Sequence, residues 1–236
     1  MDLVNVPIPL NRCIMRTKYL TIIATDSNTG GQTNGSIYSP DGIDMVYVEE
    51  TDTGFMTIQS FYIGKYEVTQ AQYQAIMGTN PSFFKGANNP VETVSLDDIK
   101  AFISKLNAMT NRHYRLPTIS EWECAAREGT KRSSYEYSGS NNIDEVAWYK
   151  GNSKDNNNDA THPVGQKQPN ALGIYDMSGN VWEWCEDNSD SSGCPDRGTR
   201  GGGWGNSAGA CRVSLRGLNS PSTRIPDIGF RLALSL

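Results

Sequence analysis

No hydrophobic run in this sequence approaches the ~20 residues needed to cross a bilayer. Arg16 and Lys18 precede Leu20, Thr21, Ile22, Ile23 and Ala24, but so short a stretch reads as a β-strand, and no signal peptide is evident. Cysteine is scarce and odd in number. Cys13, Cys124, Cys185, Cys194 and Cys211 fit neither a disulfide framework nor a zinc site. Cys185 and Cys194 flank a short loop and could pair in an oxidising compartment, with buried free thiols as the plainer alternative. The two histidines, His113 and His162, lie far apart and form no His-x-x-x-His pair, which speaks against a multi-histidine metal centre. A basic excess is also lacking. The net charge is −5, so the phosphate-neutralising term that drives nucleic-acid binding is absent, and no nucleic-acid partner is expected.

What is present is turn chemistry. The chain holds 23 glycines and abundant asparagine, so much of it should be ordered coil between short elements. A length of 236 residues, 37% of them hydrophobic, supports one large α+β domain with a real core. Residues 1–40 read as an N-terminal extension: strand-like runs at 4–10 and 19–24, then a Ser/Thr/Asn/Gly-rich linker at 26–35. That arm is available for oligomer assembly, or forms an edge of the main domain at 41–236. Strands are predicted at 45–48 and 61–66. Thr69 opens a helix over 70–77, and Gly78 stands where a C-terminal glycine ends one. Ser95-Leu96-Asp97-Asp98 resembles a capping box, followed by an apolar stripe of Ile99, Phe102, Ile103 and Leu106. A second box, Thr118–Glu121, starts a helix through Trp122, Ala125 and Ala126 with Gly129 beyond its end. Past Gly129 only turns and short strands are predicted.

Several segments carry a family likeness, in order along the chain. They are Tyr66-Glu67-Val68-Thr69, Asn89-Pro90-Val91, and Arg115-Leu116-Pro117-Thr118 with Glu121-Trp122-Glu123 and Ala125-Ala126-Arg127. Next come the long run from Asn170 to Trp184, Arg200-Gly201-Gly202-Gly203-Trp204, Cys211-Arg212 and Gly229-Phe230-Arg231. Over residues 45–234 the chain resembles the formylglycine-generating-enzyme/sulfatase-modifying-factor family. That resemblance implies a variant of the C-type lectin fold: α+β, with few short helices and strands and much ordered coil. The residues themselves suit such a fold. Trp182, Trp184 and Trp204 supply large buried area. Arg127, Arg200 and Arg231 can offer forked donors to Glu121, Glu123 and Glu183.

The likeness also implies where chemistry would lie. The family's oxidases use two cysteines, five residues apart, just after the glycine turn, to handle copper and oxygen. Here the second position is Cys211, but the first is Asn206, whose amide is neither a soft anionic ligand nor a thiol-exchange group. No copper is therefore expected, and no iron either, since the related sulfoxide synthases use a multi-histidine site. Asp176 and Glu183, with the carbonyls of Gly179 and Val181, match positions that carry calcium in the family and would hold a structural calcium ion. The residues alone equally allow Glu183 to pair with an arginine and Asp176 to cap a turn. The 155–159 stretch is also oxygen-rich but reads as a solvated loop.

Residues 204–228 alternate anchors with positions of no shared chemistry, a layout similar to the variable proteins of diversity-generating retroelements. In those proteins adenine-directed mutagenesis rewrites a C-terminal cassette on a C-type lectin scaffold. The resemblance implies a non-catalytic, receptor- or adhesin-like protein that binds a protein or other macromolecular ligand at a cell or phage surface. Its ligand-binding positions would be Gly205, Ser207, Gly209, Ala210, Ser214, Leu215, Gly217, Leu218, Asn219, Ser220, Ser222, Thr223, Ile225, Pro226, Asp227 and Ile228. Leu215, Leu218, Ile225 and Ile228 would form an apolar centre, unless some of them belong to the core, and Ser214, Asn219, Ser220, Thr223 and Asp227 a polar rim. Two alternatives remain: a formylglycine-generating-type oxidase, and a non-catalytic regulatory or assembly module of the same family.

Overall fold

The computed structural model describes residues 36–37, 42–155, 158–187 and 196–236, which all fall in the unit Gln32–Leu236. The arm expected at 1–40 lies outside the described residues apart from Ser36–Ile37, as do Cys13 and Cys194. Among the described residues, thirteen short strands run in chain order. They are β1 (Ser36–Ile37), β2 (Met45–Val48), β3 (Thr51–Asp52), β4 (Thr57–Ile58), β5 (Phe61–Gly64), β6 (Tyr114–Arg115), β7 (Lys154–Asp155), β8 (Asn158–Asp159), β9 (Trp182–Trp184), β10 (Arg197–Arg200), β11 (Gly217–Asn219), β12 (Ile228–Gly229) and β13 (Ala233–Ser235). Four α-helices of the described residues join them: α1 (Gln70–Met77), α2 (Leu96–Thr110), α3 (Ile119–Ala126) and α4 (Ile143–Val146). No helix among the described residues is long and apolar enough to cross a membrane.

The first three helices begin where their caps dictate. Thr69, Ser95 and Thr118 each accept from the N3 backbone amide, while the N3 side chain reaches back to the cap. That reciprocal pair satisfies two donors the first turn leaves open. Gly78 at φ 80° and Asn111 at φ 55° close α1 and α2 in the left-handed conformation. Three elements depart from the reading of 130–236 as turns and strands, the first a 3-10 turn at Gly129–Lys131. α4 is a single turn capped by Asn142, and a 3-10 turn spans Ala208–Cys211. In the stretch expected as a loop, Asp155 lies in β7 and Asn158 and Asp159 in β8, and the two strands pair antiparallel.

Five strands form one sheet in the order β1-β2-β5-β13-β6. Its register pairs Val46 with Ile63 and Val48 with Phe61, so one face carries these four side chains towards Ile119, Trp122 and Ala125 of α3. The offset positions Tyr62 and Leu234 pack on the opposite side against the cluster of Ile99, Phe102 and Leu106. Alternation of period two thus serves both cores. A second sheet, β11-β10-β9-β12, is where the C-terminal segment joins the domain. β12 runs parallel to β9, and β11 forms the outer edge against β10. This pairing buries Ile228 at 1% exposure, within the α2 cluster.

Candidate recognition surface

Beneath the C-terminal segment lies a buried hub of charge. Arg231 and Glu183 are both fully buried and form a forked pair, with Nε to Oε2 and Nη2 to Oε1 each at 2.6 Å. Trp122 Nε1 donates to the same Oε2 at 2.6 Å, and the remaining Arg231 donors reach the carbonyls of Gly64 and Tyr175. Burial works against the guanidinium's charge, but the Glu183 carboxylate more than offsets it, so the Arg231 pKa is raised. Glu67 accepts from Asn180 Nδ2 at 2.7 Å and from the Val181 amide, and burial pushes its pKa well up. Asp176 accepts from the Gly165 amide through Oδ2 at 2.7 Å, while Oδ1 is buried with no partner among the described residues.

These contacts test the calcium arrangement expected of Asp176, Gly179, Val181 and Glu183. Glu183 takes the other alternative: its oxygens are filled by a guanidinium and an indole. Calcium at these four residues would have to share Glu183 with Arg231 and Trp122, while Asp176 Oδ1 keeps a free oxygen. No group of three or more His, Cys, Asp or Glu side chains among the described residues could hold a metal.

The turn that carries this hub is left-handed three times, at Asp176, Gly179 and Asn180. At Gly179 (φ 82°) a Cβ would collide with the Trp148 carbonyl, so only glycine fits. The turn then presents groups that grip the C-terminal segment. Trp204 N donates to Asn180 O at 2.8 Å and Trp182 N to Asp227 O at 2.7 Å. Thr93 N reaches Ile225 O, Leu96 N reaches Pro221 O, and Lys150 N reaches Asn206 O. Arg200, fully buried, gives Nη1 to Leu215 O at 2.6 Å, and Trp204 Nε1 donates to Pro226 O. The scaffold therefore holds the segment chiefly by its main-chain oxygens. Three side chains add to this: Asn206 Oδ1 accepts from Trp182 Nε1, Asn219 Nδ2 donates to Thr199 Oγ1, and Arg224 pairs with Asp98.

The side chains between these pins divide into three groups. Leu215, Leu218 and Ile225 are exposed at 39%, 47% and 38%, as an apolar centre requires. Ser207, Gly209, Ser214, Ser220 and Ser222 are also exposed, whereas Gly205, Ala210, Gly217, Asn219, Thr223, Pro226 and Asp227 are half-buried. Ile228 departs from the expected surface. The parallel pairing of β12 with β9 turns its side chain into the core, so it is not available to a ligand. Burial also raises the Asp227 pKa.

Reading the tail alone misses an aromatic flank. Phe83, 68% exposed, meets Phe84 edge-on at 5.0 Å, and Phe84 meets Trp204 edge-on at 5.1 Å. Phe83-Phe84 in a polar loop was the available signal. Of the tryptophans expected to be buried, Trp184 is; Trp182 and Trp204 are half-exposed beside the segment.

The two positions equivalent to the oxidase cysteines are both structural in their contacts. Asn206 Oδ1 accepts from Trp182 Nε1 at 2.7 Å and from Gly203 N at 2.9 Å. Cys211 is a fully buried free thiol packed with Tyr137, Val146 and Ala147, and burial pushes its pKa up to about 12. Cys124 and Cys185 are likewise buried free thiols. Gly205-Asn206-Ser207-Ala208-Gly209 has the G-x-S-x-G spacing of a hydrolase elbow. Ser207 precedes a 3-10 turn in extended conformation, and no histidine contacts its hydroxyl among the described residues, so the strand-turn-helix context is absent.

A model described as the sulfatase-modifying factor enzyme 1-like domain matches residues 34–236. The chain belongs to the sulfatase-modifying factor family. Within it, the chain is 38% identical to the chaperone protein LppX of Paenibacillus barcinonensis, an alignment covering 76% of this chain and 82% of LppX. It is 33% identical to the inactive Cα-formylglycine-generating enzyme 2 of Mus musculus, over 62% of this chain and 49% of that one. It thus spans most of LppX but about half of the mouse protein. Among solved structures, Treponema denticola variable protein 1 superposes with a TM-score of 0.71 at 29% identity, covering 86% of this chain and 98% of that one. The fold of this sulfatase-modifying factor domain is accordingly α+β, of the formylglycine-generating-enzyme type.

Proposed function

We propose that this protein is a non-catalytic binding module, a variable protein of a diversity-generating retroelement, which recognises a protein or other macromolecular ligand through residues 204–228. One observation carries the reading. The scaffold takes the carbonyls of Asn206, Leu215, Pro221, Ile225 and Asp227, so side chains other than the Asn206, Asn219, Arg224 and Ile228 anchors can be exchanged without losing that main-chain grip. A rigid frame under interchangeable side chains is what adaptable recognition requires. Leu215, Leu218 and Ile225 are exposed, and Trp204 brings Phe84 and Phe83 to the segment, so it offers the apolar and aromatic side chains favoured at interfaces. The likeness to Treponema denticola variable protein 1 supports the same reading. Absence of catalysis is supported by the carboxamide at Asn206 and the inaccessible thiol of Cys211.

The test is genomic. A near-identical template repeat of the codons for 204–228, differing at adenines and lying beside a reverse-transcriptase gene, is the expected finding. A locus with neither removes the diversification. The second reading is an assembly or chaperone-like module with a fixed client, favoured by the 38% identity to a chaperone. It would use the same surface, and sibling sequences would then be constant across 204–228.

A further inference from the structure

The β3–β4 hairpin holds an apolar tip in water. Phe55 is 100% exposed and Met56 52%, although a free phenyl ring on a hairpin gains nothing from solvent. The turn itself is well made: Asp52 Oδ1 accepts from Gly54 N, and Thr53 closes onto Met56 O through both its amide and its hydroxyl. Phe55 is therefore held out by an ordered turn. Beside the tip opens a cleft of about 420 Å³, lined on the hairpin side by Thr53 and Ile58 and on the other by Glu123, Arg127, Arg132 and Arg216. That volume falls within the range of ligand sites.

The charge in the cleft is unbalanced. Its carboxylate, Glu123, is shared by three guanidiniums: Arg200 at 2.5 Å, Arg127 at 3.1 Å and Arg216 at 3.6 Å. Arg132 adds a fourth cation and makes no ion pair among the described residues. Its backbone is fixed, with φ 47° and its amide on Gly129 O. Arginine forks match carboxylates, and half-exposed ones retain their donors for a partner. We propose that this cleft is a second binding site, for an extended acidic peptide segment whose carboxylates meet Arg132 and Arg216 while a neighbouring apolar side chain packs on Phe55 and Met56. The apolar lip favours a peptide over a simple anion. Arg216 belongs to residues 204–228, whereas Arg132 and Phe55 do not, so substitutions at those two positions test the cleft separately from that surface.

The test is fluorescence anisotropy on the full chain, with a labelled peptide of sequence Gly-Asp-Leu-Glu-Leu-Asp and its Asn/Gln counterpart. The acidic peptide should bind saturably, about tenfold more tightly than the amide version, and more weakly as salt rises. Arg132→Glu and Phe55→Ser should each weaken it about fivefold or more, with unchanged thermal midpoints because both side chains are exposed. Leu218→Ser should leave it unaltered. Equal binding of the two peptides, no saturable binding of the acidic one, or indifference to both cleft substitutions would overturn the assignment. So would loss of binding in Leu218→Ser, which would move the peptide to the C-terminal surface.

Discussion

At the scale of single residues, the hub sets three carboxyl groups, Glu67, Asp176 and Glu183, around one guanidinium. Glu183 has taken the cation, and Asp176 is left to burial, which pushes its pKa up to about 6. A carboxyl whose folded pKa lies above its unfolded one stabilises the fold only while protonated. That contribution is complete below about pH 4 and is lost as pH rises through about 6, at a cost of up to ~3 kcal/mol. Asp176→Asn keeps an acceptor for the Gly165 amide, and asparagine tolerates the left-handed backbone at φ 56°. Between pH 5 and 7 the thermal midpoint of the native protein should fall relative to this variant; parallel curves would mean that the buried carboxyl keeps its charge. Arg231→Met strands Glu183 without a counter-ion and should cost ~3–5 kcal/mol in denaturant unfolding at neutral pH.

At the scale of elements, the C-terminal segment should separate into replaceable and irreplaceable positions. Leu218→Ser and Ile225→Ser remove exposed side chains and should change unfolding free energy by no more than ~0.5 kcal/mol. Ile228→Ala, three residues on, empties core space and should cost ~2–5 kcal/mol. Comparable losses at all three would mean that the segment packs as one unit. The sequence distinguishes these isoleucines poorly, because both stand in loop-like context and only the parallel pairing of β12 with β9 decides which is covered. The long helices were legible because a capping box is a local device: Thr69, Ser95 and Thr118 announce starts that hydrogen bonding then completes. α4 was not, since four residues are too few to show a period. Arginine–carboxylate pairing was readable in kind, but the choice of Arg231 for Glu183 depends on residues 48 positions apart. The aromatic flank was hidden for the same reason, since Phe84 meets Trp204 only through the fold.

At the scale of the whole molecule, the question is whether one residue separates this chain from its oxidase relatives. Asn206→Cys would recreate two cysteines five residues apart. The surroundings work against a functional pair. A Cys211 thiol with its pKa near 12 is ionised to only ~10⁻⁵ at pH 7. It is packed against Gly202, where a Cβ would come within 2.7 Å of the sulfur. Removing the Asn206 carboxamide would also leave Trp182 Nε1 and Gly203 N without their acceptor, at ~1–3 kcal/mol for each donor that water cannot reach. The expected outcome for Asn206→Cys, supplied with copper and a cysteine-containing peptide, is a lower thermal midpoint and no aldehyde product by mass spectrometry. Aldehyde formation would mean that the glycine turn opens far enough to expose Cys211. Residues 204–228 would then be the rim of a dormant catalytic site, and their exposed side chains would be read as substrate contacts.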